Sequence, residues 1–407
     1  MTQPISRKNL SRLRTWLFSP PERLRAGPLR AGAFPSPLRS VRLTSLLGVA
    51  LGAAFAVCMV TGVLSHLIQH PPGWFVWPAR PAGLYRFTQG LHVATGLATV
   101  PLLGAKLWSV YPRLFTWPPL RGAGHAAERL SIAVLVAASL FQVVSGLLNI
   151  AHWYAPMPFF FTTGHYWAAW LAVGALLTHV GVKLPVVREA LRHPAAGNTD
   201  RHPAAGDVGR RQVLTGVAAA AGVITVATVG QTFRPFAAVS VLGPRRPGDG
   251  PQGLPVNRTA AAAGVRDTAT SPGYRLVVTG FGHTVALSTD DLASMPQHTA
   301  VLPIACVEGW SAVGTWSGVR LRDLAALVGA DPTRCEAVVE SLQAGGRYRT
   351  SVVASSHLAA GDTLIATGLG GEPLALDHGY PARLIAPNRP GVMQTKWVSR
   401  ITLRSTR

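Results

Sequence analysis

The sequence predicts an N-terminal all-α transmembrane bundle, four helices plus a fifth linking helix, followed by a soluble α+β domain. Composition is the first reason. Of 407 residues, 48% are hydrophobic and only 14% charged, with a mean hydropathy of +0.26, which implies a membrane part. The second is that apolar stretches near the ~20 residues a bilayer requires recur through the N-terminal half. The third is a change of pattern after a Gly/Pro-rich linker, where short runs between Gly turns replace the long apolar ones.

Residues 1–42 read as a basic cytoplasmic tail. Residues 43–190 hold four spans, at 43–69, 85–111, 130–150 and 166–187, each with Gly or Ala spaced for close helix packing. Arg7, Lys8, Arg12, Arg14, Arg23, Arg25, Arg30, Arg39 and Arg42 precede the first span. Arg113, Arg121 and Arg129 separate the second from the third, and Lys183, Arg188, Arg192 and Arg201 follow the fourth. The other two connections carry only Arg80. The positive-inside rule then places the N-terminus in the cytoplasm and predicts a multi-pass protein of the cytoplasmic membrane. Trp74, Trp77, Trp153, Tyr154 and Trp167 form an outer aromatic belt. The formal charge of +21 belongs to these flanks, and no nucleic-acid-binding motif accompanies it.

A fifth helix is expected over 207–233. Its Arg210-Arg211 pair reads either as two further inside charges or, in Gly209-Arg210-Arg211-Gln212-Val213-Leu214, as a start similar to a twin-arginine export motif. Both readings put the C-terminal domain on the extracytoplasmic side. Residues 234–256 are a linker without regular structure. Strands are expected at 274–280, 284–287, 337–342, 348–353, 363–367, 383–386 and 397–403, with helices at 289–294 and 321–328.

Three cysteines give no disulfide framework. Cys58 lies in an apolar span and Cys335 in a loop before a strand. Cys306 differs, because it ends the apolar run Val301-Leu302-Pro303-Ile304-Ala305 and precedes the turn Glu308-Gly309-Trp310-Ser311. A thiol at a strand end in a polar loop is placed either to ligate a soft metal as thiolate or simply to fill space as a small hydrophobe.

Ionisable residues within spans are rare and usually functional. His92 lies about two turns into the second span, and His165 and His179 bracket the fourth. Their fourteen-residue offset leaves the latter two within about 40° of one face and about 21 Å apart along the axis. The pattern resembles the paired haem ligands of membrane b-type cytochromes, built inside a four-helix bundle. His92 and His165 are candidates to share one iron, with His66 competing for that site. The partner of His179 is open, so the haem count is one or two.

Cys306-Val307-Glu308-Gly309-Trp310-Ser311, then Trp316-Ser317-Gly318-Val319 and Leu321-Arg322-Asp323-Leu324, resemble the molybdopterin-binding domain of the sulfite oxidase superfamily. A second block is similar to that family's cofactor-clamping segment: His378-Gly379-Tyr380-Pro381-Ala382-Arg383-Leu384-Ile385-Ala386-Pro387, then Gly391 and Lys396-Trp397-Val398. The resemblance implies that 257–407 is an α+β molybdopterin-binding domain of sulfite oxidase type, with Cys306 the protein ligand to molybdenum. It implies cofactor contacts from Asn257, Ser341, His378, Arg383, Gln394, Thr395 and Lys396. Cationic donors suit the phosphate tail of a pterin.

Sulfite oxidases of the family carry an arginine-rich run after the cysteine. Here Val307-Glu308-Gly309-Trp310-Ser311 stands in its place, a Cys-Val-Glu pattern like that of the reductase branch. The expected protein is a membrane-anchored molybdenum oxidoreductase. It would exchange electrons between the quinone pool (or another redox partner), a b-haem membrane domain and an external molybdopterin site. The expected small-molecule substrate is a sulfoxide-like or other oxo compound. The alternatives are sulfite-oxidase-type oxidation and a non-catalytic anchored binding module.

Overall fold

The computed structural model describes residues 22–27, 30, 33–34, 36, 38–115, 117, 122–192, 203–230, 234–243, 245–246 and 248–406. Much of the basic tail expected over 1–42, including Arg7, Lys8, Arg12 and Arg14, lies outside these residues. So do Arg121, Arg201 and the end of the fifth segment at 231–233.

Five helices, α1 (Val41–Gln69), α2 (Leu84–Val110), α3 (Ala123–Ile150), α4 (Phe161–Arg192) and α5 (Pro203–Val229), follow one another in the N-terminal half. Each contains a stretch long and apolar enough to cross a membrane. α3, α4 and α5 start or end several residues beyond the predicted spans, because helical backbone continues past the apolar window into polar turns. The chain divides into two compact units, one comprising residues up to Met59 with Thr95–Thr225, the other Val60–Ala94 with Val226–Arg407.

In the first unit the Lys106 ammonium donates to the carbonyl of Thr44 at 2.7 Å. Gly48 makes room for it, since a Cβ there would lie 2.9 Å from Nζ. α3 and α4 pack along one another, with Lys183 and Glu128 paired at 2.5 Å.

The second unit contains the α+β domain. Two short helices, α6 (Ala260–Ala263) and α7 (Arg266–Thr270), precede β1 (Leu276–Gly280) and β2 (His283–Leu287). Next come α8 (Thr289–Ser294), β3 (His298–Ala305), β4 (Ser311–Arg320) and α9 (Leu321–Ala326). They are followed by β5 (Cys335–Ser341), β6 (Thr350–Val353), α10 (Ser355–Leu358) and β7 (Leu364–Leu369). The chain closes with β8 (Glu372–Pro373), β9 (Arg383–Ile385) and β10 (Val398–Ser405).

One sheet has the order β2-β1-β10-β5-β6, the other β3-β4-β7-β8 with β9 also on β7. Only β1 and β10 pair in parallel within these sheets. The last strand thus enters the middle of the first sheet and brings the second sequence block back beside the rest of the domain. Leu276, Leu324, Val339 and Ile401, all fully buried, belong to the main core.

Several elements depart from the sequence reading. β4 was not foreseen, since Gly314, Thr315, Ser317 and Gly318 show little β-branched alternation. Its neighbours demand small residues instead: a Cβ on Gly318 would sit 2.2 Å from the carbonyl oxygen of Ile365. Cys335 is not in a loop but is the first inward residue of β5, whose side chains alternate between buried and half-buried. The linker is not structureless either. It contains 3₁₀ turns at Arg234–Val239 and Pro251–Gly253. Gln252 ties it to the domain, donating to the carbonyls of Leu369 and Pro373 and accepting from the Ala375 amide.

Val60–Ala94, the C-terminal end of α1 and the N-terminal end of α2 with their connection, is joined to this domain through Asn388. The buried Asn388 side chain accepts from the Tyr85 amide at 2.6 Å and donates to the Pro78 carbonyl at 2.6 Å. Its own carbonyl accepts from the Trp77 indole at 2.7 Å, and Arg80 pairs with Asp362 at 2.7 Å.

Leu321, fully buried where β4 meets α9, should be expensive to truncate. Leu321→Ala is expected to cost about 2–5 kcal/mol in urea denaturation followed by tryptophan fluorescence. Val301→Ala, at a side chain 65% exposed on the edge strand β3, should move the midpoint little.

Candidate molybdopterin site

Cys306 follows the last residue of β3 and begins a tight turn. Its amide donates to the Trp310 carbonyl at 2.9 Å, and its carbonyl accepts from the Gly309 amide at 3.1 Å. Gly309 takes φ 94°, which a glycine adopts without penalty. The thiol is buried beside Trp310 and Trp316. Burial, then the nearby Glu308 carboxylate, push its pKa well up, and Arg245 partly opposes them. Glu308 accepts from the Trp310 indole at 2.8 Å and pairs with Arg245 at 3.4 Å. The acid beside the cysteine is therefore charge-balanced from the linker.

The second block folds against the same core. Arg383, at the start of β9, lays its guanidinium over the Trp316 ring at 4.8 Å. It donates to the carbonyls of His378 at 3.0 Å and Gln394 at 3.4 Å, while its buried Nε has no hydrogen-bond partner. Burial pulls its pKa down to about 9. Lys396 donates to the carbonyls of Arg258 at 2.6 Å and Asp377 at 2.9 Å. Burial, then Arg383, bring Lys396 down to about 7; Asp377 opposes them, and Arg245 and Arg258 add smaller pushes in the same downward direction. Gly379, at φ 112°, is pinched between them: a Cβ would lie 3.0 Å from Arg383 Cβ and 3.1 Å from Lys396 Cβ.

The remaining expected contacts are placed as follows. His378 is buried, with Nε2 2.6 Å from the Pro251 carbonyl, and burial lowers its pKa to about 4. Ser341 donates to the Lys396 carbonyl at 2.8 Å. Gln394 spends its amide on the backbone of Ala386, accepting at 2.9 Å and donating at 2.7 Å. Thr395 shares a 2.7 Å hydroxyl contact with Ser351. Asn257 is exposed and caps its neighbour, accepting from the Arg258 amide at 2.9 Å. Ser341, Gln394 and Thr395 thus hold the shape of the segment, whereas Arg383 and Lys396 supply its charge.

Four residues that sequence reasoning missed belong with these. Arg245 acts on both Cys306 and Lys396, yet stood in a Gly/Pro run read only as linker. Arg258 presents its carbonyl to Lys396. Arg389 is buried, donates to the Val352 carbonyl at 2.9 Å, and is lowered to about 10 by burial. Ser311 has a buried hydroxyl without a hydrogen-bond partner. Its direct place after the Cys-Val-Glu-Gly-Trp run was the available signal. Among the described residues no carboxylate pairs with Arg383, Arg389 or Lys396. Buried cations of this kind call for an anion. The donor set, with its orphaned Nε and hydroxyl, fits a phosphate-bearing pterin beside a thiolate ligand.

The span histidines occupy two matching settings. On α2, His92 Nδ1 lies 3.1 Å from the Thr61 hydroxyl of α1, and a Cβ on Gly62 would be 3.1 Å from the ring. On α4, His165 Nδ1 lies 3.0 Å from the Ser145 hydroxyl of α3, and a Cβ on Gly146 would be 3.8 Å from the ring. His92 falls in the second unit and His165 in the first. His179 is half-buried on α4, and His66 stacks on His70 with centroids 4.7 Å apart.

Comparison with known proteins places a family match in the C-terminal domain and finds relatives that share part of the chain. Residues 263–407 match the family model of the oxidoreductase molybdopterin binding domain. Mitochondrial sulfite oxidase of Rattus norvegicus is 31% identical over 159 residues, 32% of this chain and 29% of that protein. A protein of Azospira oryzae, named "Putative protein-methionine-sulfoxide reductase subunit YedZ1", is 32% identical over 126 residues, 31% of this chain and 47% of that one. An NAD(P)H nitrate reductase of Hordeum vulgare is 40% identical over 96 residues, 22% of this chain and 11% of that enzyme. The chain spans less than half the length of each of these relatives. Behind a helical N-terminal region with several long apolar helices, residues 263–407 are a molybdopterin-binding oxidoreductase domain of the sulfite oxidase type.

Proposed function

We propose that the protein is a membrane-anchored, molybdopterin-dependent reductase of sulfoxide-like oxo substrates, supplied with electrons from the quinone pool through b-haem in its helical region. The observation that carries the reading is the joining of a buried strand-end thiol to a set of buried and half-buried cations without a carboxylate hydrogen-bond partner among the described residues. Cys306 would ligate molybdenum as thiolate. Arg383 and Lys396 would hold the pterin phosphate, with His378 and Ser341 fixing the backbone around them. Bound there, the cofactor supplies two-electron oxygen-atom chemistry.

The residues around Cys306 favour a weakly charged substrate over an anion. The Glu308 carboxylate stands two residues from the thiol, and Arg245 compensates it. A sulfite dianion entering here would meet a carboxylate and lack an arginine-rich run to receive it. The Azospira relative, by its name, points to protein methionine sulfoxide as the substrate class.

The paired settings of His92 and His165 support haem. In each, a hydroxyl on the neighbouring helix engages Nδ1, which orients the ring for a ligand bond from Nε2. Beside the Thr61 hydroxyl, Gly62 also makes room for the His92 ring, which a Cβ would approach to 3.1 Å. The positive-inside reading sets the protein in the cytoplasmic membrane with its molybdopterin domain outside. The Arg210-Arg211 pair, at the head of the apolar span of α5, would serve export of the folded domain or simply mark the inner face.

Methionine sulfoxide reduction with a soluble artificial donor tests the substrate reading. The full chain should turn it over and leave sulfite unoxidised, and Cys306→Ser should lose essentially all turnover with an unchanged far-UV spectrum, because a hydroxyl is a harder and weaker ligand. Turnover surviving in that variant would rule out the thiolate assignment.

Visible spectra of His92→Ala, His165→Ala and His179→Ala count the haems. The first two should each lose b-type absorbance, and a loss in the third marks a second site.

Lys396 adds a pH signature. With a pKa of about 7 in the fold against 10.5 for an ordinary lysine, the folded state binds fewer protons between those values. Stability must then rise with pH across that window. The melting temperature of cofactor-free protein should climb from about pH 7 to about pH 10. Lys396→Met should flatten the climb.

A further inference from the structure

α2 passes directly beside the turn that carries Cys306. The Gln89 side-chain amide donates to the Val307 carbonyl at 3.4 Å. Gly309 brings the turn so close that a Cβ would meet Val93 Cγ1 at 3.0 Å. Gln89, His92 and Val93 stand at i, i+3 and i+4, one stripe of the helix. The helical stripe that touches the cysteine turn is therefore the stripe that bears His92.

This contact is held from both sides. Gln89 Oε1 accepts from the Tyr85 phenol at 3.4 Å and from the Ser65 hydroxyl at 3.4 Å. Tyr85 is almost fully buried in a cluster with Ala305, the residue before Cys306. Asn388 then fastens the start of α2 by accepting from the Tyr85 amide. Fixed polar contacts of this kind, between a membrane helix and a metal-ligand turn, are more than lipid anchoring requires.

We propose that the Val307–Gly309 turn is the electron entry of the molybdenum site, fed through Gln89 and Val93 from haem ligated at His92. This rests on the haem reading of His92 given above. A haem held at His92 would supply electrons one at a time, and the molybdenum site would take up two per substrate. Two transfers, with two protons from water, balance the reduction of one sulfoxide to sulfide and water, and quinol restores the haem. Gln89 and Asn388 act here as positioning residues, since neither touches substrate or metal.

The test is rapid mixing of the dithionite-reduced full chain, in detergent, with methionine sulfoxide, following reoxidation of the b-haem bands. In Gln89→Leu and in Asn388→Ala, reoxidation should slow severalfold. The resting haem spectrum and turnover with a soluble donor should stay unchanged in both. Unaltered reoxidation in both variants overturns the path. Loss of soluble-donor turnover alongside would mean that the contact merely props the catalytic fold, and also overturns it. A wild-type chain without b-haem bands removes the haem reading itself, a failure seen before any variant is made.

Discussion

Positive charge withdrawn from solvent, with no carboxylate hydrogen-bonded to it, is the constraint on which the C-terminal domain depends. Arg383, Arg389 and Lys396 are each held by carbonyl oxygens, and burial lowers the pKa of all three. A carbonyl satisfies a donor but does not neutralise a cation, so the electrostatic cost persists until an anion arrives. The surrounding structure reads as the means of imposing that cost. β10 inserts beside β1 and β5 and fixes where the second block returns. Gly379, with no side chain, lets Arg383 and Lys396 approach one another, and Trp316 offers its face to the guanidinium. Ser341 and Gln394 give their polar groups to the backbone, and so keep the segment from relaxing away from the charge.

The cysteine turn is organised by the same economy of charge. Glu308 would be a poor neighbour for an electron-rich metal centre unless balanced, and the Trp310 indole and Arg245 balance it. Arg245 comes from the connection between the helical region and the domain, so that connection reaches the cysteine turn. The helices contribute as well, because Val60–Ala94 packs with the domain through Asn388, Trp77 and Tyr85. The two hydroxyl–glycine–histidine settings, Thr61-Gly62 with His92 and Ser145-Gly146 with His165, show the same local solution used twice. Each gives a polar ring an oriented place between helices.

The sequence made the local features legible and left the distant ones hidden. Apolar windows located all five long helices, since a bilayer-length run needs no tertiary context to be recognised. The capping box of Ser288 and Asp291 marks the start of α8, and that helix lies where it was expected. Cys306 was placed at a strand end by the apolar run before it. β4 escaped because its small residues answer to the backbone of β7 rather than to any propensity of their own. Asn388 escaped for a related reason: its partners Tyr85 and Pro78 lie some three hundred residues away. Arg245 was hidden by glycine and proline neighbours that signal only a break in regular structure. Exposure of Asn257 and the backbone duties of Gln394 are likewise outcomes of packing, which a motif cannot convey.

The most direct measurement is molybdenum content of the full-length chain, purified from molybdenum-replete cells, compared with a variant in which Arg383 and Lys396 are both replaced by neutral residues. If the buried cations exist to hold an anionic pterin, the wild-type chain carries molybdenum equimolar with protein. The variant folds but purifies nearly free of the metal. Equal molybdenum in both, or none in a well-folded wild-type chain, would contradict the account.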